Sequence, residues 1–198
     1  MKTRTGRLML SMGAALLLVT GSVTAGKASS EDASRVRQLM QQQAGMMTPE
    51  LQAKVKDLSP DTKRLLMQIL SSHDRYSDRV TLRQVMHEVL SDYQSMVAGV
   101  MTDNPEQAAD SAIRIANHRI PVGGLLPYLG IENINDERLA VLESFNDSVE
   151  GNARKLAAVA GKGDMTAASR LVGDIAAGCV GCHAVFRGQP GVSAYLKK

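Results

Sequence analysis

The strongest constraint on the fold of this chain is a stripe of apolar side chains near its C-terminal end. Over residues 164–186 they recur at alternating spacings of three and four residues, in the order Met165, Ala168, Val172, Ile175, Cys179, Cys182 and Phe186. These spacings keep the side chains on one face of an α-helix. The stripe therefore predicts an amphipathic helix whose apolar face, with both cysteines of the chain, packs into a protein core.

Three further segments show helical periodicity. They cover about residues 79–102, 104–118 and 136–160, and the second begins with Asn104-Pro105, a typical helix start. No stretch of useful length alternates apolar and polar residues as a half-buried strand would. Four such helices with mostly short connections predict an all-α protein, an antiparallel four-helix bundle with the cysteine-bearing helix at its C-terminal end.

The chain divides into four parts. We interpret residues 1–25 as a signal peptide, 26–78 as a short helical extension, 79–188 as the bundle and 189–198 as a tail. The first part has a basic start and an apolar run too short to span a bilayer comfortably. It predicts a soluble periplasmic protein with no stable membrane insertion after cleavage. An uncleaved membrane anchor is the alternative.

The charge balance argues against nucleic acid as a partner. The whole chain has 23 basic and 20 acidic residues, but three of the basic residues lie in the signal peptide, which has no acidic residue. Cleavage therefore leaves equal numbers of both signs. Without a basic patch or a DNA-reading motif, we expect no binding to nucleic acid.

Cys179, Cys182 and His183 form the pattern C-x-x-C-H, which is the attachment signature of c-type haem. The two thiols have the spacing to add to the two vinyl groups of haem, and the next residue can bind the iron. Gly178 and Gly181 lie beside the cysteines and would leave room for a bulky group. The pattern predicts one covalent haem c inside the bundle.

Other roles of the cysteine pair fit the sequence less well. A thioredoxin-type pair lies at a helix start after a strand, whereas this pair is near the end of a helix. A zinc site needs more ligands, and His73, His87 and His118 show no ligand spacing. A disulfide that closes so small a loop would add little stability. We interpret His73 and His118 as ordinary polar residues.

The C-terminal C-x-x-C-H followed by Phe186 and Arg187 resembles the cytochrome c′ superfamily of exported four-helix-bundle haem proteins. The resemblance covers about residues 79–188 and does not account for the extension. It implies that Cys179 and Cys182 attach the haem, that His183 is the proximal iron ligand, and that Arg187 lies near His183. Many members are homodimers built on the first two helices, so a homodimer is implied as well.

The resemblance also indicates which residue faces the iron. The family places this residue on the first bundle helix, and Met86 occupies the matching position on the inward stripe of that helix. A methionine there implies a six-coordinate, low-spin iron suited to electron transfer. Arg83, one turn earlier, is within reach of a haem propionate, and the alternative is an ordinary solvated arginine of the surface. His87 and Met40 are alternative ligands.

The sequence thus predicts a carrier of single electrons between redox partner proteins, not an enzyme. Three alternatives stay open. If Met86 does not bind the iron, the same scaffold is a five-coordinate, high-spin protein that binds NO or CO. A haem peroxidase would need distal acid–base groups, for which His87 is the only candidate. A structural module of a respiratory complex would account for the extension.

Overall fold

The structure, a computed structural model, describes residues 30–186 and 193–197 of the 198-residue chain. Within these residues every regular element is a helix and no β-strand forms, which confirms the predicted all-α class. The predicted signal peptide and Arg187 lie outside the described residues. None of the described helices combines the length and the apolar character needed to cross a membrane.

Three helices lie in the segment predicted as an extension: α1 (Ser30–Met46), α2 (Pro49–Asp57) and α3 (Pro60–Ser71). Both α2 and α3 begin with proline, whose fixed backbone angle suits the first helical position and whose missing N–H is not needed there. Ser59 caps α3, because its hydroxyl accepts a hydrogen bond from the backbone N–H of Thr62 (3.2 Å). These start signals divide the extension into short helices.

Two of the four predicted main helices come next in the chain, as α4 (Leu82–Met101) and α5 (Pro105–Ala116). The hydroxyl of Thr81 and the side chain of Gln84 form a capping box at the start of α4. Gly99 lets the two helices approach closely, because a Cβ at this position would lie 2.5 Å from the backbone nitrogen of Ala108. The pair is therefore a tight helical hairpin.

The segment predicted as one helix over 136–160 is interrupted. It consists of α6 (Asp136–Ala140), α7 (Leu142–Asn146), a π-helical turn (Asp147–Gly151) and α8 (Asn152–Ala160), and α9 (Met165–Phe186) follows. A π-helical turn is wider than an α-helical turn and changes the direction in which the next residues point. Leu142 of α7 and Leu156 of α8, on the two sides of this turn, lie in different cores.

Most of the described buried apolar side chains belong to two large clusters. The first core joins α4, α5, α8 and α9, and includes Met96, Val100, Ala108, Ala112, Ile115, Leu156, Ala168 and Ile175. The second core joins α2, the connection between α5 and α6, the helices α6 and α7, and the end of α9. It includes Met47, Leu51, Leu58, Leu126, Leu129, Ile134, Leu139, Leu142 and Phe186. The extension thus covers the C-terminal end of α9.

Two pairs of helical segments that follow each other in the chain are antiparallel. In each pair, residues later in the first segment contact residues earlier in the second. Asp92 of α4 accepts a hydrogen bond from Arg114 of α5 (2.6 Å), and Ser95 accepts one from Gln107 (3.1 Å). The helices α4 and α5 are therefore antiparallel. The segment 136–160 is antiparallel to α9 in the same way, because Gly178 lies beside Val149 and Gly181 lies beside Phe145.

Candidate functional site

Cys179 and Cys182 are half-buried free thiols on α9. Cys179 packs against the first core and Cys182 against the second, so the pair lies at the junction of the two cores. Burial raises the pKa of the Cys179 thiol, and burial and the nearby Cys179 raise the pKa of Cys182 to about 11. Both thiols are therefore neutral near pH 7, unlike the acidic thiol of a thioredoxin-type pair.

The glycines beside the cysteines have a packing role that the sequence did not indicate. A Cβ on Gly178 would lie 2.8 Å from Cγ2 of Val149 and 2.9 Å from Cβ of Ser148. A Cβ on Gly181 would lie 3.1 Å from the ring of Phe145. The expectation that these glycines leave room for a bulky group is therefore wrong, because the antiparallel helix occupies this side of α9.

His183 is exposed in the last turn of α9. It follows Cys182 directly and comes four residues after Cys179, which places it about 40° around the helix from Cys179. Its imidazole is therefore open to solvent, next to the half-buried sulfurs. Arg187, the basic residue predicted near His183, lies outside the described residues.

Met86 is half-buried on α4. The register between α4 and α9 is given by Tyr93, whose hydroxyl donates a hydrogen bond to the backbone carbonyl of Val172 (3.1 Å). Burial, and to a smaller extent Cys179, raise the pKa of Tyr93, so the hydroxyl keeps its proton. Met86 comes seven residues before Tyr93, and Cys179 comes seven residues after Val172.

The other predicted residues lie in three places. Arg83 is exposed, one helical turn before Met86. His87 is exposed too, and lines a shallow surface groove together with Arg75, Gln84, Glu88, Ser91, Asp92 and Arg119. Met40 packs against a third cluster, formed by Val36, Leu70 and Ile120. Met40 and the two cysteines thus belong to different clusters.

A second group of chemically active side chains was missed by the sequence analysis. His73 follows α3, His118 follows α5, and Glu150 lies in the π-helical turn. The Nε2 atoms of both histidines lie 3.4 Å from Oε1 of Glu150, and the two rings are 4.7 Å apart between centroids. The interpretation of His73 and His118 as ordinary polar residues without ligand spacing did not foresee this cluster.

The electrostatics of the cluster are dominated by the carboxylate. Burial raises the pKa of Glu150, but the neighbouring imidazoles of His118 and His73 outweigh it and lower the pKa to about 2. Burial lowers the pKa of His118, but Glu150 outweighs this effect, so the pKa is raised. Glu150 is therefore a carboxylate at neutral pH.

Comparison with known proteins gave no match. No family model, no curated protein and no solved structure matches the chain. The structure nevertheless has two candidate sites. These sites are the pair Cys179 and Cys182 with His183, and the cluster of His73, His118 and Glu150.

Proposed function

We propose that the protein is a c-type cytochrome that carries single electrons. The observation that carries the proposal is the pair of thiols, Cys179 and Cys182, three residues apart on the inner side of α9 and followed directly by His183. The donor set fits haem c, because each S–H can add across one vinyl C=C, with sulfur bonding one carbon and hydrogen the other. His183 then supplies an imidazole nitrogen for the iron.

We further propose that α4, α5, the segment 136–160 and α9 form an antiparallel four-helix bundle. Two of the neighbouring pairs have contacts in opposite chain order, as described above. The third pair, α5 and the segment 136–160, also has contacts in opposite order. Arg154 of α8 donates a hydrogen bond to the carbonyl of Ala116 (3.0 Å), and Glu150, one turn before Arg154, lies beside His118, which follows α5. An up–down–up–down order makes α4 antiparallel to α9.

In this arrangement Met86 would be the second residue that holds the iron. Along a helix axis, seven residues correspond to about 10 Å. Because α4 and α9 are antiparallel in this arrangement, Met86 and Cys179 are displaced by this length in the same direction from the Tyr93–Val172 hydrogen bond. Met86 is thus level with Cys179, and His183 lies about one turn further along α9. Its half-buried thioether is a soft ligand, which raises the reduction potential of a His/Met centre.

When bound, haem supplies an iron centre that changes its oxidation state by one electron. The chain's own residues attach and shield it: Cys179 and Cys182 fix its position, and the second core excludes water on the side of Cys182. Arg83, exposed one turn before Met86, would pair with a propionate. With His183 and Met86 both holding the iron, no open position would remain for a substrate, so the protein would carry electrons between redox proteins of the periplasm and not act as an enzyme.

The visible spectrum of the haem-loaded protein, oxidised and reduced, tests the proposal. Wild type is expected to be low-spin, and Met86→Ala is expected to become high-spin and to bind CO when reduced. Met101→Ala is the matched control, because Met101 is on the same helix but 75% exposed. A high-spin wild type that binds CO would contradict the electron carrier and favour gas binding. A low-spin spectrum unchanged by Met86→Ala would leave His87 as the ligand to replace.

A second measurement tests the attachment itself. Mass spectrometry of the denatured wild type is expected to show the mass of the chain plus one haem. Cys179→Ser and Cys182→Ser should each retain one thioether bond, and the double variant should release its haem on denaturation. A wild type that releases its haem on denaturation would refute covalent attachment.

A further inference from the structure

The cluster of His73, His118 and Glu150 joins three parts of the chain that are far apart in sequence. Its three side chains come from the end of the extension, from the connection after α5 and from the π-helical turn. His73 is 1% exposed, and the side chains of Glu150 and His118 are 8% and 21% exposed. Such burial requires that the polar atoms have partners.

The hydrogen bonds of the two rings determine which nitrogen carries a proton. Nδ1 of His73 lies 2.9 Å from the carbonyl oxygen of Ile69, and Nδ1 of His118 lies 3.0 Å from the carbonyl oxygen of Arg119. A carbonyl only accepts, so Nδ1 is the donor in both rings. In the neutral form of each ring, Nε2 therefore has no proton, and its lone pair points toward Glu150.

These lone pairs face a carboxylate. Oε1 of Glu150 is 3.4 Å from both Nε2 atoms, and Nε2 of His73 is buried without a hydrogen-bond partner. With both rings neutral, two imidazoles and a carboxylate would bring three acceptors together, which is unfavourable in a buried site. Without a metal, a proton on His118, whose pKa Glu150 raises, relieves this conflict on one side of the carboxylate. A divalent cation between the three atoms would displace that proton and give all three acceptors, including Nε2 of His73, a common partner.

The distances suit such a cation. Ligands of a tetrahedral zinc ion lie about 2.0–2.2 Å from the metal and therefore roughly 3.4 Å from one another. The two separations between imidazole Nε2 and Glu150 Oε1 have this value, and all three ligand atoms lie within 4.8 Å of one another. Small side-chain shifts would bring them around one ion.

The surroundings orient the ligands. The backbone carbonyls fix both rings with Nε2 inward, as is usual for histidines that bind metal. Asn146, with its amide turned to donate, lies 2.9 Å from Oε2 of Glu150, and Arg154 Nη2 lies 3.4 Å from the same oxygen. The positive charge of Arg75 acts on His118, and that of Arg154 acts on Glu150. The side chain of Arg154 is 42% exposed, so solvent screens its charge.

We propose that His73, His118 and Glu150 bind one divalent transition-metal ion, of which zinc is the representative. Imidazole nitrogen favours this class over calcium and magnesium, which prefer oxygen ligands. Three protein ligands leave a fourth position for water. The ion ties the extension to the connection after α5 and to the π-helical turn, and its binding is independent of the haem.

Zinc binding to the haem-loaded, chelator-treated protein tests this proposal. Free thiols are titrated first and alkylated where present, because an unmodified Cys179 or Cys182 would bind zinc itself. Equilibrium dialysis against Zn²⁺ is expected to give one bound ion per chain, and Zn²⁺ is expected to raise the temperature of unfolding. Glu150→Gln and His118→Gln should each weaken binding at least about 100-fold.

Glu143→Gln is the matched control, since Glu143 is an exposed carboxylate on α7 and the change removes the same charge. It should bind zinc like wild type. The proposal is overturned if wild type binds no stoichiometric zinc, and equally if His118→Gln binds it as tightly as wild type. Whether zinc binds stoichiometrically is measured on wild type alone, so this result does not depend on the folding of any variant. Loss of zinc binding with an intact haem spectrum separates this site from the proposed function.

Discussion

The hydroxyl of Tyr93 donates a hydrogen bond to the backbone carbonyl of Val172 and thereby connects the middle of α4 to the middle of α9. Both residues are half-buried beside the first core. This contact shows the register of the two helices that bear Met86 and the cysteine pair. The height of Met86 relative to Cys179 follows from it.

Tyr93→Phe removes this hydrogen bond and keeps the ring. We expect the free energy of unfolding to fall by about 0.5–1.5 kcal/mol, the usual net value of one such bond. Urea unfolding of wild type and variant measures the difference. Because the apolar contacts of α4 and α9 remain, the spin state of the haem-loaded variant should not change. An unchanged unfolding midpoint would show that the bond contributes nothing to the stability of the fold.

Asp136 connects the third main helical segment to the extension, since its Oδ1 accepts a hydrogen bond from the backbone N–H of Ser59 (3.0 Å). Hydrogen bonds from Thr62 and Ser59 lower the pKa of Asp136. A lowered carboxyl pKa adds stability above the unfolded-state pKa, and this stability is lost as the pH falls through the folded-state pKa.

Asp136→Asn should therefore lower the urea midpoint slightly at pH 7 and leave it unchanged at a pH below the folded-state pKa. The effect is small because the carboxylate is exposed. Urea unfolding at a series of pH values measures it, with Glu137→Gln, an exposed neighbour on α6, as control. A difference between wild type and Asp136→Asn that is the same at every pH would contradict the assignment.

The sequence predicted a helix or its start correctly where a pattern of neighbouring residues determines it. The three-and-four spacing from Met165 to Phe186 predicted α9, and Asn104-Pro105 predicted the start of α5. In both cases neighbouring residues contain the whole signal, because helix periodicity and helix starts are local. The all-α class follows from the same patterns.

The cluster around Glu150 could not be predicted in this way. Its histidines come from outside the helices, and they meet only because the extension and the connection after α5 both fold back onto the segment 136–160. Glu150 itself resembles a solvent-exposed residue of a long helix until the π-helical turn directs it inward. The packing role of Gly178 has a similar cause, since its close neighbours Ser148 and Val149 are thirty residues or so away in sequence.

Gly178 and Gly173 offer a matched pair of substitutions on one helix, α9. Alanine has a higher helix propensity than glycine by about 1 kcal/mol, so Gly173→Ala should stabilise the protein, because a Cβ there meets nothing within 4 Å. At Gly178 a Cβ would lie 2.8 Å from Cγ2 of Val149, and we expect a net loss of about 1–3 kcal/mol. Urea unfolding of the haem-loaded variants measures both. If Gly178→Ala were as stable as Gly173→Ala, α9 and the π-helical turn would not be in close contact beside Cys179.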